Sequence, residues 1–171
     1  MRRILLSCAI LGVVMLPAAA SARTHAHPKP GFLVVRRAVG DGGVNGRPVV
    51  KVVVQGFVLG RVSQEARVEI YRLPGEAKPQ AHGADVSSQG KQWHGLPGTE
   101  FNGSGFRFLA TGGFYRVVVR GAGVYLFAGG HGHVWLRGSS VNPRTDGKYS
   151  LNGAAPRSLP ALTLEREIGS G

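Results

Sequence analysis

The stretch that decides the fold runs from Gly105 to Gly138, GFRFLATGGFYRVVVRGAGVYLFAGGHGHVWLRG. It contains four short bursts of apolar and aromatic residues, each followed by glycine or by a cluster of glycine and polar residues: Phe106 to Leu109, Tyr115 to Val119, Val124 to Ala128 and Val134 to Arg137. Bursts of this length between turn-forming residues are typical of short β-strands. We therefore predict four strands in this stretch.

Three aromatic residues of the stretch, Tyr115, Tyr125 and Trp135, are spaced ten residues apart. Side chains alternate between the two faces of a strand, so an even interval returns to the same face unless a bulge intervenes. We expect the three rings to share one side of one sheet.

Further strand candidates lie on both sides of this stretch. The segment Val49 to Leu59 is almost entirely apolar, which indicates a strand covered on both faces, and Gly56 marks a bulge or bend in it. From Ala66 to Leu73, apolar and polar residues alternate, as in a half-buried strand. The remaining candidates are Phe32 to Val39, Lys148 to Leu151 and Leu162 to Ile168.

The fold class follows from these segments. No window has the spacing and caps of an amphipathic helix, so we predict an all-β fold. It is a sandwich or a partly closed barrel of about eight to ten short, mostly antiparallel strands. The segment from Pro74 to Ser104 loses the pattern and is either a functional loop or one or two short strands around Trp93 to Phe101. We interpret residues 32–171 as a single β domain with a long loop at 74–104.

The first 22 residues have the composition of a secretory signal peptide. Arg2 and Arg3 precede an apolar run from Ile4 to Leu16, and Ala20-Ser21-Ala22 forms a small-residue cleavage site. The run is too short for a transmembrane helix, so the mature chain is expected to have no transmembrane segment. We predict a secreted or envelope-associated protein whose residues 23–31 form an extended N-terminal tail. A lipoprotein signal ending at Cys8 is the alternative, but Cys8 lies in the middle of the apolar run.

The composition is strongly cationic. The chain has 21 Lys and Arg against 9 Asp and Glu, and loss of Arg2 and Arg3 with the signal peptide takes the formal charge from +12 to +10. Cys8 is the sole cysteine, so cleavage after Ala22 would leave no disulfide, thiol nucleophile or thiolate metal ligand.

The positive charge is the strongest functional signal in the sequence. Four arginines alternate with apolar residues in the central stretch: Arg107, Arg116, Arg120 and Arg137. A surface that gathers them would attract polyanions over roughly 8–10 Å, and outside a bacterial cell these are wall polymers, anionic lipid head groups and stray DNA. The alternative is a set of separate solvated charges. No stacking motif of single-strand readers is visible, so sequence-specific nucleic-acid binding is not predicted.

Two groups of residues suggest metal binding. A mature chain beginning Arg23-Thr24-His25 could bind Cu(II) or Ni(II) through its α-amine, two backbone amides and the imidazole, a nitrogen set that these ions prefer. Cleavage after Ala20 would remove this site. His131 and His133 would lie on one face of a strand, about 6–7 Å apart, but no third ligand is evident. The simpler interpretation is that both histidines flank a turn.

Catalysis has little support in the sequence. There is no catalytic cysteine in the mature chain, and H-E-x-x-H, G-x-S-x-G and a phosphate-binding glycine loop are all absent. We therefore predict a non-enzymatic protein and no resident cofactor. A hydrolase with its site in the 74–104 segment is the third hypothesis, after polyanion binding and metal binding.

The C-terminal third carries a resemblance. The glycine-punctuated stretch is followed by a turn motif made of Gly147, Tyr149, Ser150, Leu151, Asn152, Gly153, Leu159 and Pro160. Residues 105–168 resemble the C-terminal half of a group of small exported proteins of high-GC bacteria whose activity is unassigned. Ala154-Ala155 departs from the second glycine expected after the motif. The resemblance implies a β fold and export, and it implies no activity.

Overall fold

The computed structural model describes residues 29–40, 46–87, 91–139 and 145–169, and these form an all-β fold. The predicted signal peptide and most of the predicted tail lie outside them. No helix within the described ranges is long and apolar enough to cross a membrane. The twelve strands found there are β1 (Gly31–Ala38), β2 (Val50–Val62), β3 (Ala66–Arg72), β4 (Gln80–His82), β5 (Asp85–Val86), β6 (Gln92–Trp93), β7 (Leu96–Gly103), β8 (Arg107–Gly121), β9 (Val124–Leu136), β10 (Lys148–Leu151), β11 (Arg157–Ser158) and β12 (Leu164–Ile168).

The strands form one antiparallel sheet in the order β11-β10-β1-β9-β2-β8-β3-β7-β5. Three further strands extend it, because β12 pairs with β9, β4 with β8 and β6 with β7. The two ends of this order are not hydrogen-bonded to each other, so the sheet is open and the fold is sandwich-like. The all-β, mostly antiparallel prediction is confirmed.

The prediction of four separate strands between Gly105 and Gly138 is wrong. The four bursts form only two strands, β8 of 15 residues and β9 of 13 residues, and both pair along β2. The glycines between the bursts lie inside these strands. A glycine cluster bends a strand as readily as it ends one, and the sequence does not distinguish the two outcomes.

The central strands are sharply bent. Val49 N donates to Val119 O at one end of β2, and Ser63 N donates to Gly123 O at the other. Residues 119–123 span at most about 15 Å, whereas a straight strand of 13 residues would span about 43 Å. The two halves of β2 therefore fold toward each other.

A row of glycines forms the crease. Gly31 pairs with Gly130, Gly130 with Gly56, and Gly56 with Gly113, so the row crosses four adjacent strands. Gly56 and Gly130 have φ angles of 154° and 134°, which side chains rarely adopt. A Cβ added at Gly56 would fall against the carbonyl oxygen of Gly129, and one added at Gly130 against that of Gln55. The predicted bulge at Gly56 is confirmed by the register shift there.

The core lies inside the crease, where the two halves of the sheet pack together. Its largest fully buried side chains include Tyr115, Phe106, Leu33 and Ile70, and alternate valines of β2 fill the space between them. Both halves turn their inner side toward this core, so their outward sides face in opposite directions. We call the outward side before the crease of β2 the cationic face, and the outward side after it the apolar face.

Tyr115 does not share a side with the other two aromatic residues of its series. Tyr115 is fully buried, whereas Tyr125 and Trp135 both lie on the outward side of β9. The ten-residue interval does not return Tyr115 and Tyr125 to the same side, because the alternation shifts between them. Gly121 and Val124 both lie on the buried side although they are three residues apart. The connection Ala122-Gly123 therefore changes the phase of the alternation between β8 and β9.

The segment from Pro74 to Ser104 is not the long loop of the predicted domain layout. It contains β4, β5, β6 and β7, and β7 pairs with β3 from Ala66↔Gly103 to Tyr71↔Gly98. Three of these strands have only two or three residues, too few to show an alternating pattern. The alternative of short strands around Trp93 to Phe101 describes the segment better.

Val49 to Leu59 was expected to be covered on both faces, and the structure covers only one. Val52, Val54 and Val58 are fully buried, but Leu59 on the outward side is 44% exposed. In β2, the apolar residues on one side are buried, and those on the other side form part of an exposed apolar surface.

The turn motif after Gly147 secures the edge of the sheet. Asn152 adopts a positive φ of 50°; its backbone N donates to Phe32 O at 2.8 Å, and its Oδ1 accepts from Phe32 N at 3.1 Å. Leu159 is buried, and its N donates to Gly147 O. The motif therefore has a structural role in joining β10 to β1.

Replacing Asn152 with alanine is expected to lower the free energy of unfolding by about 1–2 kcal/mol, because the substitution removes the hydrogen bond to Phe32 and because alanine adopts a positive φ less readily than asparagine. Asn152→Gly removes only the hydrogen bond and should cost less. Urea unfolding followed by tryptophan fluorescence measures both. Equal losses in the two variants would show that backbone strain does not contribute.

Candidate polyanion-binding face

Three of the four predicted arginines lie on the cationic face. Arg116 and Arg120 point outward from β8, and Arg137 follows β9 two strands away, where its backbone N donates to Val49 O. Arg107 lies at the other end of β8, beyond the crease, and borders the apolar face. The structure therefore divides the predicted set between the two faces.

The centre of the cationic face is a pair formed by Lys51 and Trp135, which lie side by side on β2 and β9. Lys51 Nζ lies 3.5 Å from the centre of the Trp135 ring, a close cation–π contact. Beside them is a cavity of about 150 Å³ lined by Arg47, Pro48, Lys51, Trp135, Arg137 and Thr163. Sequence reasoning did not single out Lys51 as a site residue, although a lone lysine in VVKVVV marks an outward position.

The surroundings of Lys51 disfavour the charged form of its amino group. Burial lowers the pKa of its amino group, the nearby charge of Arg116 lowers it further, and Glu165 opposes the shift. A bound anion would compensate for the lost hydration and for the repulsion by Arg116. The position therefore favours an anionic ligand.

Arg116 has an aromatic platform on the other side of β8. Its guanidinium carbon lies 4.4 Å from the centre of the Trp93 ring and 5.1 Å from that of Tyr71. Trp93 comes from the segment expected to be a loop, and its ring packs against Tyr71 at 6.4 Å between centres. Stacked guanidinium groups of this kind keep their outer edge available for carboxylates and phosphates.

Arg120 belongs to an ion network rather than to a free cationic surface. Arg67 contacts Glu69 at 2.8 Å and Glu100 at 2.9 Å, and Arg120 contacts Glu69 at 3.1 Å. Lys91 contacts both carboxylates, at 3.3 Å in the case of Glu69. Burial alone would raise the pKa of Glu69, but the charges of Arg120 and Lys91 outweigh it and hold that pKa below its usual range.

The network leaves the face with an excess of positive charge. Among the described residues, its outward positions carry seven cations against five carboxylates: Arg47, Lys51, Arg67, Lys91, Arg116, Arg120 and Arg137 against Glu69, Asp85, Glu100, Glu165 and Glu167. Within the described ranges, no carboxylate oxygen lies within 4 Å of Arg47, Lys51 or Arg116.

His131 and His133 lie on the outward side of β9, opposite Gln55 and Val53 of β2. His131 Nδ1 lies 3.1 Å from Gly169 O, and His133 Nδ1 lies 3.7 Å from Glu165 Oε1. In the part of the chain that the structure describes, no three His, Cys, Asp or Glu side chains are grouped to hold a metal ion. Metal ligation by these two histidines stays a prediction without a third ligand. The other metal hypothesis, at Arg23, Thr24 and His25, lies outside the described residues.

The segment proposed for a hydrolase site borders one larger cavity, of about 330 Å³. Arg72, Lys78 and Thr99 supply its charged and hydroxyl groups, and the rest of its lining is Pro79, Ala81, Val86, Pro97, Gly98 and Phe101. Neither a carboxylate nor an imidazole is among these residues, so the described lining does not place the Thr99 hydroxyl beside a carboxylate or imidazole base.

Comparison with family models, with curated proteins and with solved structures finds no match for this chain. The resemblance to exported proteins of high-GC bacteria stays a prediction.

Proposed function

We propose that this protein is an exported, non-enzymatic β module that binds anionic polymers of the cell envelope through its cationic face. The observation that carries the proposal is the cavity at which Arg47, Lys51 and Arg137 meet beside the ring of Trp135. Arg116 on its aromatic platform extends the same face across β8.

Burial distinguishes this arrangement from ordinary solvated charge. A lysine that serves only solubility extends into water, but Lys51 lies over an aromatic ring and loses hydration there. An anion that replaces the lost water is worth more at such a position than at a fully solvated one. The half-buried Lys51 and Arg116 thus support a binding role over a solubility role.

The geometry favours a flexible polymer with repeated negative groups. Lys51 and Arg116 lie two residues apart along neighbouring strands, and Arg137 lies on the opposite side of Lys51. Adjacent strands are about 4.8 Å apart, so these cations match charges repeated every several ångströms along a chain. Wall polymers rich in phosphate have this character, and binding to them requires export but no sequence recognition.

Binding to immobilised poly(glycerol phosphate) tests the proposal. With about four phosphate contacts, the affinity should fall about 50-fold between 50 and 200 mM salt, since each contact releases counterions. Uncharged polyglycerol, in which ether links replace the phosphodiesters, should not bind. An affinity that does not change with salt, or binding to the uncharged polymer, would contradict the proposal.

A further inference from the structure

The apolar face carries an exposed cluster of aromatic and aliphatic side chains. Phe32 is 40% exposed, Leu59 44%, Leu109 39% and Phe127 36%. The ring of Phe127 packs against Phe57 at 5.3 Å and against Phe32 at 6.2 Å between centres. Large apolar groups gathered on a surface mark an interaction site, whereas scattered ones do not.

The register shows that these side chains form one continuous patch. Phe127 lies opposite Val34 of β1 and Leu59 of β2, and Leu59 lies opposite Leu109 of β8. In the next row, Gly129 separates Phe32 from Phe57 and leaves room for their rings. The patch therefore crosses four adjacent strands without a polar side chain in its central row.

A row of cations borders the patch. Arg61 lies opposite Tyr125 and Arg107 in the row beyond Leu59, and its guanidinium carbon stands 4.6 Å from the centre of the Tyr125 ring. Arg37 Nε donates to the hydroxyl of Tyr125 at 3.2 Å. Lys148 and Arg36 pair on the neighbouring strands β10 and β1.

On its described strands, the apolar face lacks the negative charge that the cationic face carries. The outward positions of β1, β4 and β10, and of β2, β8 and β9 on this side of the crease, include no aspartate or glutamate. An apolar centre that is bordered along one side by cations complements a surface that is apolar inside and anionic at its rim. A bilayer containing anionic lipids is such a surface.

We propose that the apolar face docks on the surface of an anionic lipid bilayer. The rings of Phe32, Phe57 and Phe127 enter the boundary between head groups and acyl chains, while Arg61 and Arg107 contact phosphates. This proposal does not rest on polymer binding, because the two faces point in opposite directions and the residues that would contact lipid differ from those that would contact the polymer.

Sedimentation with vesicles of phosphatidylglycerol and phosphatidylcholine tests the docking. The full chain is used, its N-terminus checked by intact mass, and every variant carries the same N-terminal segment, so differences between variants report the face. Phe127→Ser and Leu59→Ser should each weaken binding at least about tenfold, because each removes one inserted apolar group. Both residues are partly exposed, so the variants are expected to fold, and circular dichroism checks this.

Two double variants with the same change in net charge test whether vesicle binding depends on the cations of the apolar face. R61Q/R107Q should weaken binding to the anionic vesicles at least about tenfold, and K51Q/R116Q, which removes two charges from the other face, should leave it within about twofold. Equal losses in the two would overturn the proposal, since net charge alone would then account for binding. So would equal binding of the unaltered chain to pure phosphatidylcholine.

Quenching by lipids with brominated acyl chains tests the orientation. Trp93 and Trp135 both lie on the cationic face, so their emission should be little affected on the vesicle. In Phe127→Trp the added fluorescence should be strongly quenched. Strong quenching of the native tryptophans would overturn the lipid assignment. A concentration-dependent dimer that forms without vesicles and that Phe127→Ser dissociates would also overturn it, because a second copy of the chain would then cover the apolar face.

Discussion

Gly56→Ala is expected to lower the free energy of unfolding by more than about 4 kcal/mol and to leave most of the chain insoluble. The added Cβ would fall against the carbonyl oxygen of Gly129, and the φ of 154° disfavours any side chain. A Cβ added at Gly130, which pairs with Gly56, would likewise fall against the carbonyl oxygen of Gln55. Relief of either contact requires the central strands to separate at the crease.

Gly112→Ala is the control for Gly56→Ala. Gly112 lies in β8 with a positive φ of 80°, but a Cβ added there meets no atom within 4 Å. Its cost should be only about 1–2 kcal/mol, which is the strain of positive φ alone. Urea unfolding followed by circular dichroism compares the two. A Gly56→Ala protein as stable as Gly112→Ala would show that the crease does not depend on close backbone approach.

Glu69→Gln is expected to destabilise the protein by about 2–3 kcal/mol at pH 7. Glu69 accepts hydrogen bonds from Arg67, Arg120 and Lys91. The neutral amide removes the carboxylate that Arg120 contacts and leaves Glu100 to balance Arg67 and Lys91. The shape of the side chain is nearly unchanged, so the loss reports charge rather than packing. The midpoint of urea unfolding measures it.

The same substitution should change the pH dependence of stability. The pKa of Glu69 is lower in the folded state, so its stabilisation is complete above the ordinary carboxyl pKa of about 4.3 and is lost as the pH falls through the folded-state value. In Glu69→Gln the decline between neutral pH and about pH 3 should be smaller than in the unaltered protein. Glu65→Gln, at an exposed turn, should keep the full decline. Identical profiles for all three proteins would contradict the role of the network.

The sequence supports the fold class because short-range patterns determine it. Strands β1, β2, β3, β10 and β12 lie where alternation and β-branched residues place them. The crease is not predictable in this way, because the glycine row arises from pairing between strands far apart in sequence. Gly31 and Gly113 belong to the same row only through Gly130 and Gly56.

The candidate site illustrates the same limit. Residues four apart share one side of a regular strand, and Arg116 and Arg120 both lie on the outward side of β8. The partners of these arginines come from elsewhere: Trp93 lies in a two-residue strand, and Glu69 reaches Arg120 across the pairing of β3 with β8. Which cations are neutralised and which remain available depends on these long-range contacts, and composition gives only their total.

The most direct test of polymer binding compares two pairs of substitutions with the same change in net charge. K51Q/R116Q and R61Q/R107Q each take one cation from β2 and one from β8, on opposite faces of the folded sheet. At about 100 mM salt, the first pair should weaken binding to poly(glycerol phosphate) at least about tenfold, and the second should leave it within about twofold. Equal weakening by both pairs would contradict a cationic binding face and would leave net charge as the explanation.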